Sequence, residues 1–312
     1  MSVEAGPIKR YAAIVISLLA VIGMVTAVFA GIRRATPGMQ VRFNKRDLPK
    51  HGVNIITSAD PSFAATASKY FKNKSPETLK PFSVFIKNSG NRLIVGYALT
   101  WQFARTDGKV ITQTTHYSEP GILEGVEMPK HPDFKHTTAI EPGAVRCFSW
   151  DAQISQDAPD SSGGQDISLQ GQSQTIDPSA IRAQLELELS KATDLTVSID
   201  GVFFDDGNFV GSNVTGFFEQ LQAIVKAKVD LLREVAVGSQ QGSADQALES
   251  IKSQSLEPEV VLGMKPSPDD YYRFYRRLYA AEITNMTSSL GKERMVPHLT
   301  HSYNRARKLR KE

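Results

Sequence analysis

The sequence predicts an α+β chain: an N-terminal transmembrane helix, then an antiparallel β-sandwich, then a helical C-terminal segment. Three observations predict it. From Tyr11 to Ile32 the chain reads YAAIVISLLAVIGMVTAVFAGI, with no charged side chain. Between residues 82 and 204 several β-rich runs occur, and from Leu93 to Phe103 apolar side chains recur at every second position, the period of a strand with one face on a core. After residue 213 the spacing lengthens to three and four, the period of an amphipathic helix.

Taken as a helix, residues 11–32 span roughly 33 Å at 1.5 Å per residue. That crosses a hydrocarbon core of about 30 Å. Lys9, Arg10, Arg33 and Arg34 close the run at both ends. It is longer than the ~7–15-residue apolar stretch of a signal peptide, which favours an uncleaved anchor. Arg33, Arg34, Arg42, Lys45, Arg46 and Lys50 follow it. Counted literally, these cations would leave the large domain in the cytoplasm. A short basic N-terminus before the first apolar run is nonetheless how exported chains usually begin. The expectation is thus a single-pass protein of the cell membrane with an extracytoplasmic domain, the cytoplasmic placement being the alternative.

Residues 33–80 read as a juxtamembrane connector, with one short apolar run at Val53 to Ile56 and a short helix at Ser62 to Phe71. The sandwich is placed at 81–212. Phe82 to Asn88 is β-rich, and Asn88-Ser89-Gly90-Asn91 is a turn cluster. Leu93, Val95, Tyr97, Leu99, Trp101 and Phe103 then share one face. Asp107-Gly108 joins this strand to Lys109 to Tyr117, the strongest short hairpin signal. A Pro-rich loop covers 118–143, and a strand follows at Val145 to Trp150. Residues 155–180 lack Lys and Arg and read as a flexible insertion. Leu195 to Phe204 is the last long strand, and Asp206-Gly207 turns the chain towards Phe209-Val210. In the segment 213–312, Phe218, Leu221, Val225, Val229 and Leu232 form a helical stripe that Gly238 is expected to stop. A weaker helix covers 243–254. Ser267-Pro268-Asp269-Asp270 offers an N-cap, a first-turn proline and dipole-matching acids for a helix to about Ser289. A last basic helix is expected from Met295 to Lys311.

The stretch 84–111 resembles the small Ig-like β-sandwich modules of bacterial envelope proteins. The resemblance rests on Asn88-Ser89, on Ile94 with Tyr97-Ala98-Leu99-Thr100-Trp101, on Asp107-Gly108-Lys109 and on Pro142-Gly143. It covers about residues 84–150 and implies an Ig-like antiparallel sandwich. Such modules mostly mediate adhesion, assembly or spacing, and the fold alone does not name a function.

Composition allows a sizeable core, with 41% hydrophobic and 22% charged residues. The net charge of +3 is unevenly spread. Residues 1–50 carry eight Lys/Arg against two Asp/Glu (+6), and residues 268–312 carry ten against five (+5). The overall +3 leaves −8 for residues 51–267. Basic ends around an acidic middle suggest contact with anionic surfaces. The one cysteine, Cys147, excludes an intrachain disulfide and a cysteine metal site, and its apolar neighbours predict a buried thiol.

No nucleotide-binding, zinc-hydrolase or serine-nucleophile motif is present. His131 and His136 flank Asp133 in the Pro-rich loop, and His298 and His301 would share a helix face. Two imidazoles with no evident third ligand make poor metal sites. Asp205, Asp206 and Asn208 surround Gly207 and could hold Ca²⁺, although the spacing is not that of an EF-hand and an Asp-Gly turn explains it as well. Tyr272, Tyr275 and Tyr279 would point inward on their helix. Arg273, Arg276 and Arg277 would point away, which makes them the partner-binding candidates. The expected function is a non-enzymatic interaction or assembly protein. Its partners would be the lipid bilayer, through the N-terminal helix, and a protein, with no specific nucleic acid and no cofactor. The alternative is a metal-dependent binding protein or hydrolase using the acidic turn at 205–208.

Overall fold

A computed structural model describes residues 41–71, 82–125, 139–148, 187, 189–258, 260–263 and 266–312. The chain divides into two compact units, Met1–Gln40 with Ser173–Lys191 and Val41–Gln172 with Ala192–Glu312. The elements named here belong to the second. In chain order they are β1 (Arg42–Arg46), a 3-10 turn (Pro49–His51), β2 (Val53–Ile56), α1 (Phe63–Tyr70), β3 (Val84–Asn88), β4 (Ile94–Arg105), β5 (Val110–Ser118), α2 (Pro120–Leu123), β6 (Val145–Phe148), β7 (Ala192–Phe204), β8 (Asn208–Gly211), α3 (Phe217–Gln240), α4 (Ala244–Ser255), α5 (Pro268–Leu290), α6 (Lys292–Arg305) and β9 (Arg310–Lys311).

The long alternating run becomes β4, which pairs antiparallel with β5 on one side and β7 on the other. The Asp107-Gly108 hairpin forms as its sequence predicts: Gly108 adopts φ 78°, and Arg105 N–H donates to the Lys109 carbonyl at 2.9 Å. The second edge of β7 is shared. Its later part pairs with β8 at Gly201–Phe203, and its earlier part pairs in parallel with β1 at Asp194–Ser198. β9 then adds in parallel to β8. The large sheet runs β5-β4-β7-β8-β9 with β1 beside β7, and a separate small sheet runs β2-β3-β6.

Gly96 and Ala98 of β4 face α3. A methyl group built on Gly96 would stand 3.4 Å from the Phe217 ring and 3.5 Å from Leu221. α3 answers with Phe217, Phe218, Leu221, Ile224 and Val225, which join Val95, Ala98, Phe203 and Phe209 of the sheet in one core. The outer helices close this core with Ile251 of α4, Tyr279, Ala280 and Ile283 of α5, and Met295 and Leu299 of α6. Gly238 does not stop α3. It lies inside the helix, where its lack of a side chain admits α4: an added methyl would sit 3.1 Å from Ala247. α5 begins as its sequence predicts, with Asp270 N–H donating to Ser267 Oγ at 3.2 Å and Ser267 N–H donating to the Asp270 carboxylate at 2.8 Å.

Tyr97, Leu99, Trp101 and Phe103 line the opposite face of β4, all at most 8% exposed. Phe148 of the small sheet meets that face edge-on, 5.5 Å from Tyr97 and 5.3 Å from Tyr117 between ring centroids. On the far side of the small sheet, Phe85 and Cys147 pack with Ala67 and Phe71, and Phe63 and Tyr70 of α1 pack against them. Burial there pushes the Cys147 thiol up to about 12, so the cysteine is an inert part of the core.

The architecture is α+β with mixed sheets, and it corrects two expectations. Among the described residues the sheets are mixed, and no Ig-like antiparallel β-sandwich is seen. β1 and β9 enter the large sheet in parallel, and one face of that sheet is covered by helices. β3 and β4 do not pair across the Asn88–Asn91 turn, because that turn carries the chain from one sheet to the other. The second correction concerns the transmembrane helix. No helix among the described residues is long and apolar enough to cross a membrane. The run from Tyr11 to Ile32 lies outside the described residues, so a single-pass membrane localisation has no structural support. The insertion at 155–180, His131 and His136 also lie outside them.

Trp101 is 4% exposed, between Gln113 of β5 and Val197 of β7. Trp101→Ala should destabilise the fold by about 3–5 kcal/mol, the cost of removing a large aromatic from a packed core. Urea unfolding of wild type and variant measures this directly, and an unchanged midpoint would remove Trp101 from the core.

Candidate functional site

Two glycine turns meet beside the start of β4. The 3-10 turn ends at Gly52, with φ 74°. The second turn is Asn88–Arg92, and Asn88 builds it from a fully buried position. Its side-chain amide donates to the carbonyls of Arg92 (2.8 Å) and Ile140 (2.9 Å), and its side-chain oxygen accepts from Gly90 N–H (3.1 Å). Ser89 N–H donates to the Gly52 carbonyl at 2.6 Å. The turns touch backbone to backbone, so that a methyl on Gly52 would stand 2.5 Å from the Gly90 nitrogen. Glycine is required there both for the left-handed φ and for the close approach.

The meeting of the turns leaves a pocket of about 340 Å³, lined by Lys50, His51, Gly52, Ser89, Gly90, Asn91, Arg92 and Phe204. Three of these side chains are basic and none is acidic. The Arg92 guanidinium lies 3.7 Å above the Phe204 ring centroid, a cation–π contact that fixes its plane. Asp206 holds it from one side at 3.3 Å, and Glu312 approaches to 3.6 Å. A planar guanidinium clamped this way is suited to bidentate binding of a carboxylate or phosphate.

The acidic turn expected at 205–208 is therefore partly occupied. Asp206 accepts from Asn208 N–H and from the Asn208 side-chain amide, both at 3.0 Å, besides its ion pair with Arg92. Gly207 takes φ 86°, and its carbonyl accepts from Arg310 N–H at 3.0 Å. Among the described residues no group of three or more His, Cys, Asp and Glu side chains could hold a metal ion. His298 and His301 are both exposed on α6.

The arginines of α5 have separate fates. Arg273 pairs with Asp269 at 2.6 Å on the surface. Arg277 donates to the Glu257 carbonyl at 2.7 Å. Arg276 turns inward onto the helical layer, where it bonds Gln254 at 2.9 Å, the Tyr272 hydroxyl at 3.0 Å, and Glu234. Tyr279 is buried, and Tyr272 and Tyr275 pack against the core. Sequence reasoning did not single out Lys50, His51 and Arg92. Each lies beside a glycine turn, Pro49-Lys50-His51-Gly52 and Asn88-Ser89-Gly90-Asn91-Arg92, but only the tertiary contact of those turns makes one site.

No protein-family model, curated protein or solved structure matches the chain.

A second cluster of charge lies inside the helical layer. Glu124, 2% exposed, accepts from the Tyr279 hydroxyl at 2.8 Å and lies 3.8 Å from the Lys228 ammonium. Lys228 also bonds both carboxylate oxygens of Glu282 at 3.1 Å and sits 4.5 Å from the Tyr279 ring centroid. Beside it, Gly125 packs onto the end of α6, where an added methyl would collide with the Ser302 carbonyl and Ala306 nitrogen. The cluster joins the chain after α2 to α3 and α5, which is a structural role. Burial raises the Glu124 carboxyl to about 7, against the lowering pull of Lys228 and Tyr279.

A raised carboxyl binds its proton more tightly in the folded state. Its stabilising contribution is full below about pH 4.5 and is lost as pH rises through about 7. The span is on the order of 3 kcal/mol. His116 acts in the opposite sense below its ordinary value, because burial lowers its basicity. Glu124→Gln keeps an acceptor for Tyr279 and removes the titration. The variant should gain less stability than wild type between about pH 8 and about pH 5. Urea midpoints at the two pH values test this, and equal gains would exclude Glu124 as the group responsible.

Proposed function

We propose that this chain is a non-enzymatic interaction or assembly protein that holds an anionic group of its ligand, a carboxylate or a phosphate, between the two glycine turns. The observation that carries this reading is the convergence of Lys50, His51 and Arg92 on one pocket whose lining has no acidic side chain. These side chains come from two turns, one built by buried Asn88 and the other joined to it through the Ser89–Gly52 backbone bond, so the site is largely formed before a ligand arrives. Preorganisation lowers the cost of binding. Lys50 is exposed and supplies a mobile point charge, whereas Arg92 supplies a fixed fork. An incoming anion would replace the looser 3.6 Å contact of Glu312 and leave the Asp206 bond in place.

Thermal denaturation of the full chain in inorganic phosphate, against chloride at matched ionic strength, tests the reading. A ligand that binds only the folded state adds about 2.7 kcal/mol at a hundredfold excess over its dissociation constant. Phosphate should raise the melting temperature of wild type, and Lys50→Gln and Arg92→Gln should each lose most of that rise. Citrate in parallel separates carboxylate from phosphate preference. An equal rise in the variants would be the general salting effect of phosphate. That result, or no rise in wild type with either anion, would refute the pocket as an anion site.

A further inference from the structure

We infer that two copies of this chain pair through β5, antiparallel about a two-fold axis at Thr114, so that their large sheets become one continuous sheet. β5 is the first strand of that sheet, and among the described residues no strand pairs with its outer edge. The direction of its backbone groups follows from its two ends. Lys109 C=O accepts from Arg105 N–H, and Glu119 N–H donates to Val95 C=O at 2.7 Å. Hydrogen-bonding direction alternates along an antiparallel strand, so Ile111, Gln113, Thr115 and Tyr117 bond to β4. Val110, Thr112, Thr114, His116 and Ser118 then turn their N–H and C=O groups outward.

Edges of this kind are normally protected by charge, proline or a bulge. β5 has none of the three. Val110–Ser118 reads VITQTTHYS, and its pairing to β4 runs without a register shift. Val110 and Ile111 are 63% and 42% exposed. His116 is held at the other end of the strand, its Nδ1 3.0 Å from Gln220 and its ring 4.9 Å from that of Phe217.

The composition selects a second copy as the occupant. With the axis at Thr114, outward residues meet outward residues: Val110 with Ser118, Thr112 with His116, and Thr114 with itself. Ile111 meets Tyr117, giving an aliphatic–aromatic cross-strand pair. Immediately beyond the uncharged strand, Lys109 of each copy faces Glu119 of the other. An uncharged centre with opposite charges at its two ends is complementary to its own reversed copy, the requirement of a two-fold interface. None of these residues lines the anion pocket, so either proposal can fail without the other.

Thr114→Cys in the full chain tests the register. Bonded antiparallel pairs have Cα atoms about 5.5 Å apart, within the range of about 4.4–6.8 Å that a disulfide bridges. Cys147 is buried and serves as a silent background. Mild oxidation should convert Thr114→Cys into a reducible covalent dimer. Thr112→Cys and the β4 control Gln102→Cys should stay monomeric. Adding Lys109→Glu should lower the Thr114→Cys dimer yield several-fold, and adding Glu119→Lys as well should restore it. If the Glu119→Lys chain does not fold, the comparison of the three cysteine positions decides alone. Equal cross-linking at all three positions would overturn the proposal. So would no dimer from a Thr114→Cys chain that melts like wild type, an outcome that leaves the edge to a different protein's strand.

Discussion

Asp200 is the extra residue of a bulge in β7, between the partners of Ala98 and Leu99. Its carboxylate is buried, and a buried charge persists only when donors surround it. Four do. Ser212 Oγ donates at 2.7 Å, Val214 N–H at 2.7 Å, Thr215 N–H at 2.9 Å and Thr215 Oγ1 at 2.6 Å. Burial opposes ionisation, but these bonds together hold the acid below its ordinary value. The bonds pin the 212–215 loop to the sheet and set where α3 starts. Asn213, in the left-handed region at φ 55°, then caps Phe218 N–H at 2.7 Å. Phe217, Phe218 and Leu221 are thereby aimed at Gly96, Phe203 and Phe209, and the rest of the helical layer packs onto α3.

The same strand explains how much of the fold could be read locally. Period-two alternation placed β4, a second strand-like run at Leu195 to Phe204 placed most of β7, and the Asp-Gly hairpin and the Ser267 cap formed as their chemistry requires. These features depend on residues close in sequence. What periodicity cannot say is which strand lies beside which. The Asn88–Asn91 cluster has the composition of a hairpin turn. Asn88, however, spreads its side-chain bonds to Arg92 and to distant Ile140, and that diverts the chain between sheets. Gly238 read as a stop because glycine usually ends helices, yet its role comes from the approach of α4. The candidate site was hidden for the same reason: Lys50 and Arg92 become neighbours only when Gly52 meets Gly90.

The basic C-terminal stretch shows how tertiary contacts can fix a backbone while its charged side chains stay exposed. It was expected to continue as a helix, but α6 ends at Arg305 and the chain turns back along the sheet. Arg307 N–H donates to the Leu123 carbonyl at 2.8 Å, Arg310 N–H to Gly207 at 3.0 Å and Glu312 N–H to Phe209 at 2.9 Å. These backbone bonds bring the stretch past the residue next to Glu124 and then to Arg92. The tail therefore runs beside the buried Glu124 cluster, bonded to its neighbour Leu123, and reaches Arg92 of the open pocket through the Glu312 side chain.

The two edges of the large sheet make opposite use of charge. The edge away from β5 is formed by β1 and β9. β1 carries Arg42, Lys45 and Arg46, and β9 carries Arg310 and Lys311, all exposed. These strands come from the two basic regions of the sequence, so charge separated by more than 260 positions collects along one side of one sheet. Cations along an edge repel a second such edge and resist strand addition. β5 lies across the sheet with no charge along its length. A fold under general pressure against edge pairing would protect both sides. This one protects the side built from its basic segments and, among the described residues, leaves β5 with an alternating row of outward backbone groups, which is the asymmetry expected of a sheet that extends in one direction only.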